Sequence, residues 1–192
     1  MIVLIAGLIL FLGIHSVRIV AEDWRTAKRA QWGEAKWKGI YTIVSLVGFA
    51  LIVWGYGLAR QSPVAIWSPP VWTRHVAALL TLMSFVLLAA AYVPRTRIKA
   101  AVGHPMVLGV TVWAFAHLLA NGNLADVLLF GGFLIWAIAD FTAARRRDRV
   151  AGVTYPAGPF GRDFTAIAAG LVGWTIFALF LHTWLIGVRP FG

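Results

Sequence analysis

Six apolar runs, each close to the length needed to cross a bilayer, constrain this chain more than any other feature. They cover approximately residues 2–20, 39–58, 74–93, 105–120, 124–141 and 165–188. About 20 predominantly apolar residues in an α-helix span the roughly 30 Å of hydrocarbon in a membrane. Lipid offers no partner to backbone N–H and C=O groups, so spanning segments are helices or closed barrels, and continuous apolar runs of this length select helices. Composition agrees: 12% of the 192 residues are charged, against about 25% in soluble domains. The expected fold is all-α, a polytopic transmembrane bundle of about six spans, forming one domain over residues 1–192.

Charge supplies the direction. Of the 17 Lys and Arg, all but Arg60, Arg74 and Arg189 lie in the connections 18–38, 94–104 and 142–164. Basic connections stay on the cytoplasmic side, so both termini are expected on the outer side. The net charge of +10 then reflects topology and contact with anionic membrane lipid, with no need for nucleic acid. No basic segment precedes the first run, which therefore reads as a retained span and not a cleaved signal. Tryptophans follow the same frame. Trp24, Trp32 and Trp37, with Trp136 close by, fall at the inner surface, and Trp54, Trp67, Trp72 and Trp184 near the outer one, where an indole finds both apolar and polar surroundings. Trp113 and Trp174 lie mid-span, as lipid-facing filler or as the wall of a pocket.

The connections differ in kind. Residues 18–38 read as an amphipathic surface helix. Prolines in 61–72 exclude a regular helix and suit an apolar loop on the outer surface. Asn121-Gly122-Asn123 predicts a tight helix–helix turn of residues that tolerate positive φ, and Asp163 is placed to cap the last span. The Gly, Pro and Arg content of 142–164 suits either a lid or a mobile loop.

The absence of cysteine excludes disulfides, thiolate-ligated or covalently attached haem, and iron–sulfur clusters. Any metal falls to the five histidines, His15, His75, His104, His117 and His182, all within or at the ends of spans. Imidazole in a membrane binds metal, relays protons or bonds a neighbouring helix. Two axial ligands of one haem must sit at similar depth. Depth favours a pair among His75, His117 and His182 near the outer side, or His15 with His104 near the inner one. Gly7, Phe11 and His15, then Trp113, His117 and Asn121, then Gly170, Trp174, Ala178 and His182 repeat at i, i+4, a pattern equally natural for helix packing. Carboxylates offer little: Asp126 and Asp140 lie near opposite ends of span five, and Glu22 and Glu34 share one loop, so no pair is poised for acid–base work.

The stretches FLGIHSVRI (11–19), WKGIYTIVSLVGFALIVWGYG (37–57), PPVWTRH (69–75) and HPMVLGVTVWAFAHLLANGNLADVLLFGGFLIWA (104–137) resemble the NnrU family of bacterial membrane proteins, over nearly all of residues 1–145. NnrU is in turn similar to the plant zeta-carotene isomerases, haem b membrane proteins with histidine ligands. Their core pattern falls here on His104, Trp113, His117 and Asn123, and their ligands on His15 and His117. The resemblance implies a multi-pass protein of the bacterial inner membrane that binds haem b, and a genetic association with nitric oxide and nitrite reduction. On this reading an apolar or polyene ligand lies against Trp113 and Trp174, and isomerase-like chemistry is one expectation. The depth reading conflicts with the His15–His117 pair.

Two other classes compete. His104, Pro105 and Gly109 resemble the HPxYxG motif of isoprenylcysteine-type membrane methyltransferases, which use S-adenosylmethionine. Here Val107 replaces the tyrosine, and no glutamate follows residue 34. A non-catalytic assembly subunit, with a membrane protein partner carrying the chemistry, uses the histidines only to tie helices together.

Overall fold

Each apolar run is helical, and the runs are separated where glycine or proline intervenes. The computed structural model of the chain describes residues 1–191. Its helices are α1 (Ile2–Val20), α2 (Glu22–Trp32), α3 (Glu34–Ala59), α4 (Val71–Tyr92), α5 (Arg97–Val102), α6 (Pro105–Ala120), α7 (Leu124–Ala151), α8 (Gly161–Ile176) and α9 (His182–Ile186), with a π-helical turn over Phe177–Leu181 joining the last two. Five helical segments are long and apolar enough to cross a membrane: α1, α3, α4, α7 and the α8–α9 unit. At 16 residues, α6 measures about 24 Å. It crosses nonetheless, because its two ends bond to connections on opposite sides of the bundle, as described below. The protein is a polytopic helical bundle, as expected.

The helices are arranged in an order different from the chain: α3 packs on α1, α1 on α7, α7 on α6, α6 on α4, and α4 on α8. Lipid is as apolar as leucine, so apolar side chains gain little by leaving it for another helix, and contact depends on close backbone approach. Glycines provide it. A Cβ on Gly7 would lie 2.6 Å from the Ile52 nitrogen, and one on Gly48 2.8 Å from the Phe11 nitrogen. Gly55 meets the backbone of Leu4 still more closely. The same device joins α8 to α4, where a Gly170 Cβ would fall 2.6 Å from the Val86 Cα. Ser84 Oγ donates to the Gly109 carbonyl at 2.7 Å and ties α4 to α6. Few residues of the five long crossings are buried, 17 to 22%, and many large apolar side chains point outward, among them Ile9, Leu46, Val53 and Ile135. That apolar exterior is the lipid-facing surface.

Several local expectations change. Residues 18–38 do not form one surface helix: the short amphipathic α2 ends at Gly33, whose φ of 81° breaks the chain before α3. Residues 61–70 do more than cover the outer surface. Ile66 N and Trp67 N donate to the Gly122 carbonyl, and Leu124 N to the Val64 carbonyl, lacing the loop onto the α6–α7 turn. Gly122 itself has no positive φ. It is required there because a side chain would run into the Trp67 carbonyl. Asp163 does not cap its own helix; its carboxylate accepts from Ile98 N at 3.1 Å and so holds the first turn of α5. Finally, α7 continues to Ala151, so only 152–160 remain irregular in the last basic connection.

Gly55→Val should lower stability by roughly 1–3 kcal/mol or more, the usual cost of overpacking, seen as a lower midpoint of thermal unfolding in detergent. Gly57→Val is the control, since nothing lies within 4 Å of a Cβ there, and its midpoint should stay close to that of the parent.

Candidate functional site

Two cavities divide the histidines between them. The outer one, about 390 Å³, lies between α4, α6 and the α8–α9 unit and is lined by His117, His182, Trp113, Trp174, Phe85 and Phe177 among others. The inner one, about 660 Å³, is lined by His15, His104, Tyr41, Trp136 and a group of cations. His75 is exposed on the first turn of α4 and lines neither.

His117 is set by its own helix. Its Nδ1 lies 2.8 Å from the Trp113 carbonyl. A carbonyl only accepts, so Nδ1 carries the proton and Nε2 keeps its lone pair. The ring stacks on Phe130 at 4.5 Å between centroids, and Trp113 lies 5.1 Å from it and 5.2 Å from Phe130, so the three rings form one cluster. His182 reaches the same state by another route. Gly187 ends α9 in the left-handed region, with φ 75°, and turns the chain back so that the Val188 carbonyl accepts from His182 Nδ1 at 2.7 Å. Arg60 donates to the Ile186 carbonyl at 2.6 Å and fixes that end of the helix. The π turn just before His182 widens the helical repeat, and such turns are common at functional sites. Trp174 closes the wall, its Nε1 donating to Thr81 Oγ1 at 3.0 Å, and Phe191 lies edge-on to it at 5.9 Å. Both mid-span tryptophans therefore line a pocket.

His15 repeats the pattern of His117 at the other side of the membrane. Its Nδ1 donates to the Phe11 carbonyl at 2.6 Å, and its ring stacks on Phe11 at 4.2 Å. It lines the inner cavity while His117 lines the outer one, and their helices α1 and α6 do not touch. The geometry groups His117 with His182 and His15 with His104.

His104 differs from the rest. Its Nε2 lies 2.7 Å from Asp148 Oδ2, and the Tyr155 hydroxyl donates to the same oxygen at 2.9 Å. Burial, with the hydrogen bond and charge of Asp148, pushes the Tyr155 phenol up, so it stays protonated and donates. This cluster ties the start of α6 to the end of α7 and to loop 152–160. Its Asp148 and Tyr155 were not singled out by the sequence, because residues 44 and 51 positions from His104 share no local pattern with it. Gly103, at φ 74°, turns the chain into α6 against Arg145 and Tyr155. In this arrangement His104, Pro105 and Gly109 serve the α6 start and the α4–α6 contact. Asp126, in turn, completes a capping box with Asn123 and accepts from the Tyr56 hydroxyl. Among the described residues, no three of His, Asp and Glu converge to hold a metal ion. Histidine pairs are what the bundle presents.

The fold and its cavities define a class: a multi-pass helical membrane protein with paired, carbonyl-anchored histidines in an aromatic-walled cavity. The model of the NnrU protein family matches residues 3–190, and the chain belongs to that family. No curated protein and no solved structure matches it.

Asp148→Ala should free loop 152–160 while leaving the spans intact. Limited chymotrypsin digestion then cuts faster at Phe160 than in the parent, whereas Tyr155→Phe, which keeps the His104–Asp148 contact, gives a smaller increase. An unchanged rate in Asp148→Ala contradicts the role given to the cluster.

Proposed function

We propose that this NnrU-family protein binds haem b in the outer cavity, with His117 and His182 as its two nitrogen ligands. One observation carries the reading: both imidazoles use Nδ1–H on a backbone carbonyl and open onto the same aromatic-walled space. Metal-ligating histidines almost always have this second contact, which fixes the tautomer and the ring direction and makes the free nitrogen more basic. The donor set therefore fits a haem iron. Trp113, Trp174 and Phe177 provide flat apolar walls for a macrocycle or for a polyene ligand beside it. Arg74 and Arg189 also line the cavity and would meet carboxylates at its outer rim.

A bound haem would supply a redox-active iron, which suits either role implied by the family resemblance: nitrogen-oxide metabolism or zeta-carotene-isomerase-like chemistry in the bacterial cytoplasmic membrane. The protein's own part is to hold that group near the outer surface. The methyltransferase reading receives no support from the geometry, since the residues that suggested it have the structural tasks described above.

The test is spectroscopic. Protein expressed with added haem and purified in mild detergent should show a Soret band and sharp reduced α and β bands. His117→Ala and His182→Ala should each abolish the six-coordinate spectrum, and His75→Ala should leave it unchanged. Loss in His15→Ala with retention in His182→Ala replaces the proposed pair by the one the zeta-carotene isomerases imply. Folded, monodisperse protein that stays colourless after haem reconstitution overturns the reading.

A further inference from the structure

The inner cavity differs from the outer one in every respect that governs what enters it. Six cations line it, Arg18, Arg25, Arg29, Lys38, Lys99 and Arg147, drawn from α1, α2, α3, α5 and α7. Topology asks only that cytoplasmic connections be basic. It does not ask that cations from three separate connections converge on one space. Their carboxylate partners are few and shared. Glu22 lies 3.0 Å from Arg25 and 3.7 Å from Arg18; Glu34 lies 2.8 Å from Lys38 and 3.7 Å from Arg29. Asp140 is 3.7 Å from Arg147, and Lys99 forms no ion pair among the described residues. The wall keeps a surplus of positive charge.

An anion alone would leave part of the wall unused: Ile14, Val17, Ala91, Met106, Val107 and Trp136 line the same space and offer it apolar surface.

The shape completes the case. On the outer side, residues 61–70 lace the two halves of the bundle together. On the inner side no such strap exists among the described residues: α1, α2 and α3 make no helix contact with α4, α5 or α6, and only α7 joins the two groups. The result is a cleft floored by α7, of a size typical for small-molecule sites.

We infer that this cleft is a binding site for a phosphate-bearing amphiphile, the phosphate held by Lys99, Arg147 and the α1–α3 cations, the hydrocarbon running along α7 beside Trp136. The source is either the headgroup of an anionic lipid or a free phosphate ester. The inference is independent of what the outer cavity holds.

Native mass spectrometry of delipidated, detergent-purified full-length chain tests it, with phosphatidic acid, phosphatidylcholine and inorganic pyrophosphate as probes. Phosphatidic acid should bind in a one-to-one complex and phosphatidylcholine should not. The double variant Lys99→Gln/Arg147→Gln should weaken binding at least about tenfold, as expected for losing charge-assisted contacts. Arg97→Gln/Arg146→Gln removes the same charge from cytoplasmic positions outside the cavity and should leave the affinity unchanged. Competition by pyrophosphate assigns the site to a free phosphate ester, and its failure to compete assigns it to lipid. Equal weakening in both double variants shows diffuse surface attraction and overturns the site, as does equal binding of phosphatidylcholine or no binding at all.

Discussion

Inside a bilayer, an apolar side chain is equally at home against lipid or against another helix, so this bundle holds together where backbones come close enough to touch. Gly7, Gly48 and Gly55 join α1 to α3, Ser84 and Gly109 join α4 to α6, and Gly170 joins α8 to α4. Close packing and an interhelical hydrogen bond then supply the adhesion. The cavities form where these contacts stop. Trp113, Trp174, Phe85 and Phe177 are too large for backbone contact and hold α4, α6 and the α8–α9 unit apart on the outer side. On the inner side α1, α2 and α3 make no helix contact with α4, α5 or α6, and the space between the two groups lies over α7.

The two spaces thus have opposite characters although each contains histidine. The outer one is aromatic, with two imidazoles, His117 and His182, in its wall. The inner one is lined by donors and positive charge, and one of its histidines is already engaged by Asp148. Between them runs a file of rings: His15 stacks on Phe11, Phe11 lies 5.8 Å from Phe133, Phe133 lies 5.6 Å from Trp113, and Trp113 touches His117. His15 and His117, matched by the zeta-carotene isomerase resemblance, are therefore the two ends of one packed aromatic core.

Much of this was legible in the residues. Hydropathy and the alternation of basic connections mark the spans and their direction, because both reflect one-dimensional constraints: span length and local charge. Depth along each helix sorts the histidines by surface, and the cavities separate His15 and His104 from His117 and His182 in the same way. What the sequence concealed was rotation and long-range contact. The i, i+4 repeat of Gly170, Trp174, Ala178 and His182 assumes an uninterrupted α-helix, and the π turn at Phe177–Leu181 carries no distinctive residue pattern. Asp163 looked like the cap of its own helix, yet it serves α5, and Gly122 looked like a turn residue, yet it makes room for the Trp67 carbonyl. In each case the deciding partner lies far away in the chain.

The position of α7 has a consequence for how the protein is made. Chains emerge from the ribosome N-terminus first, and the first two crossings, α1 and α3, already form a glycine-packed hairpin. The next two, α4 and α6, form a second hairpin, joined to the first only by the proline-bearing stretch that includes residues 61–70. Until the fifth crossing enters the membrane, these two hairpins have no surface in common. α7 arrives as a keystone, touching α1 on one side and α6 on the other, and supplies the floor of the inner cavity, whereas the outer cavity is completed later still, by the α8–α9 unit. The union of the two halves therefore turns on one late insertion event.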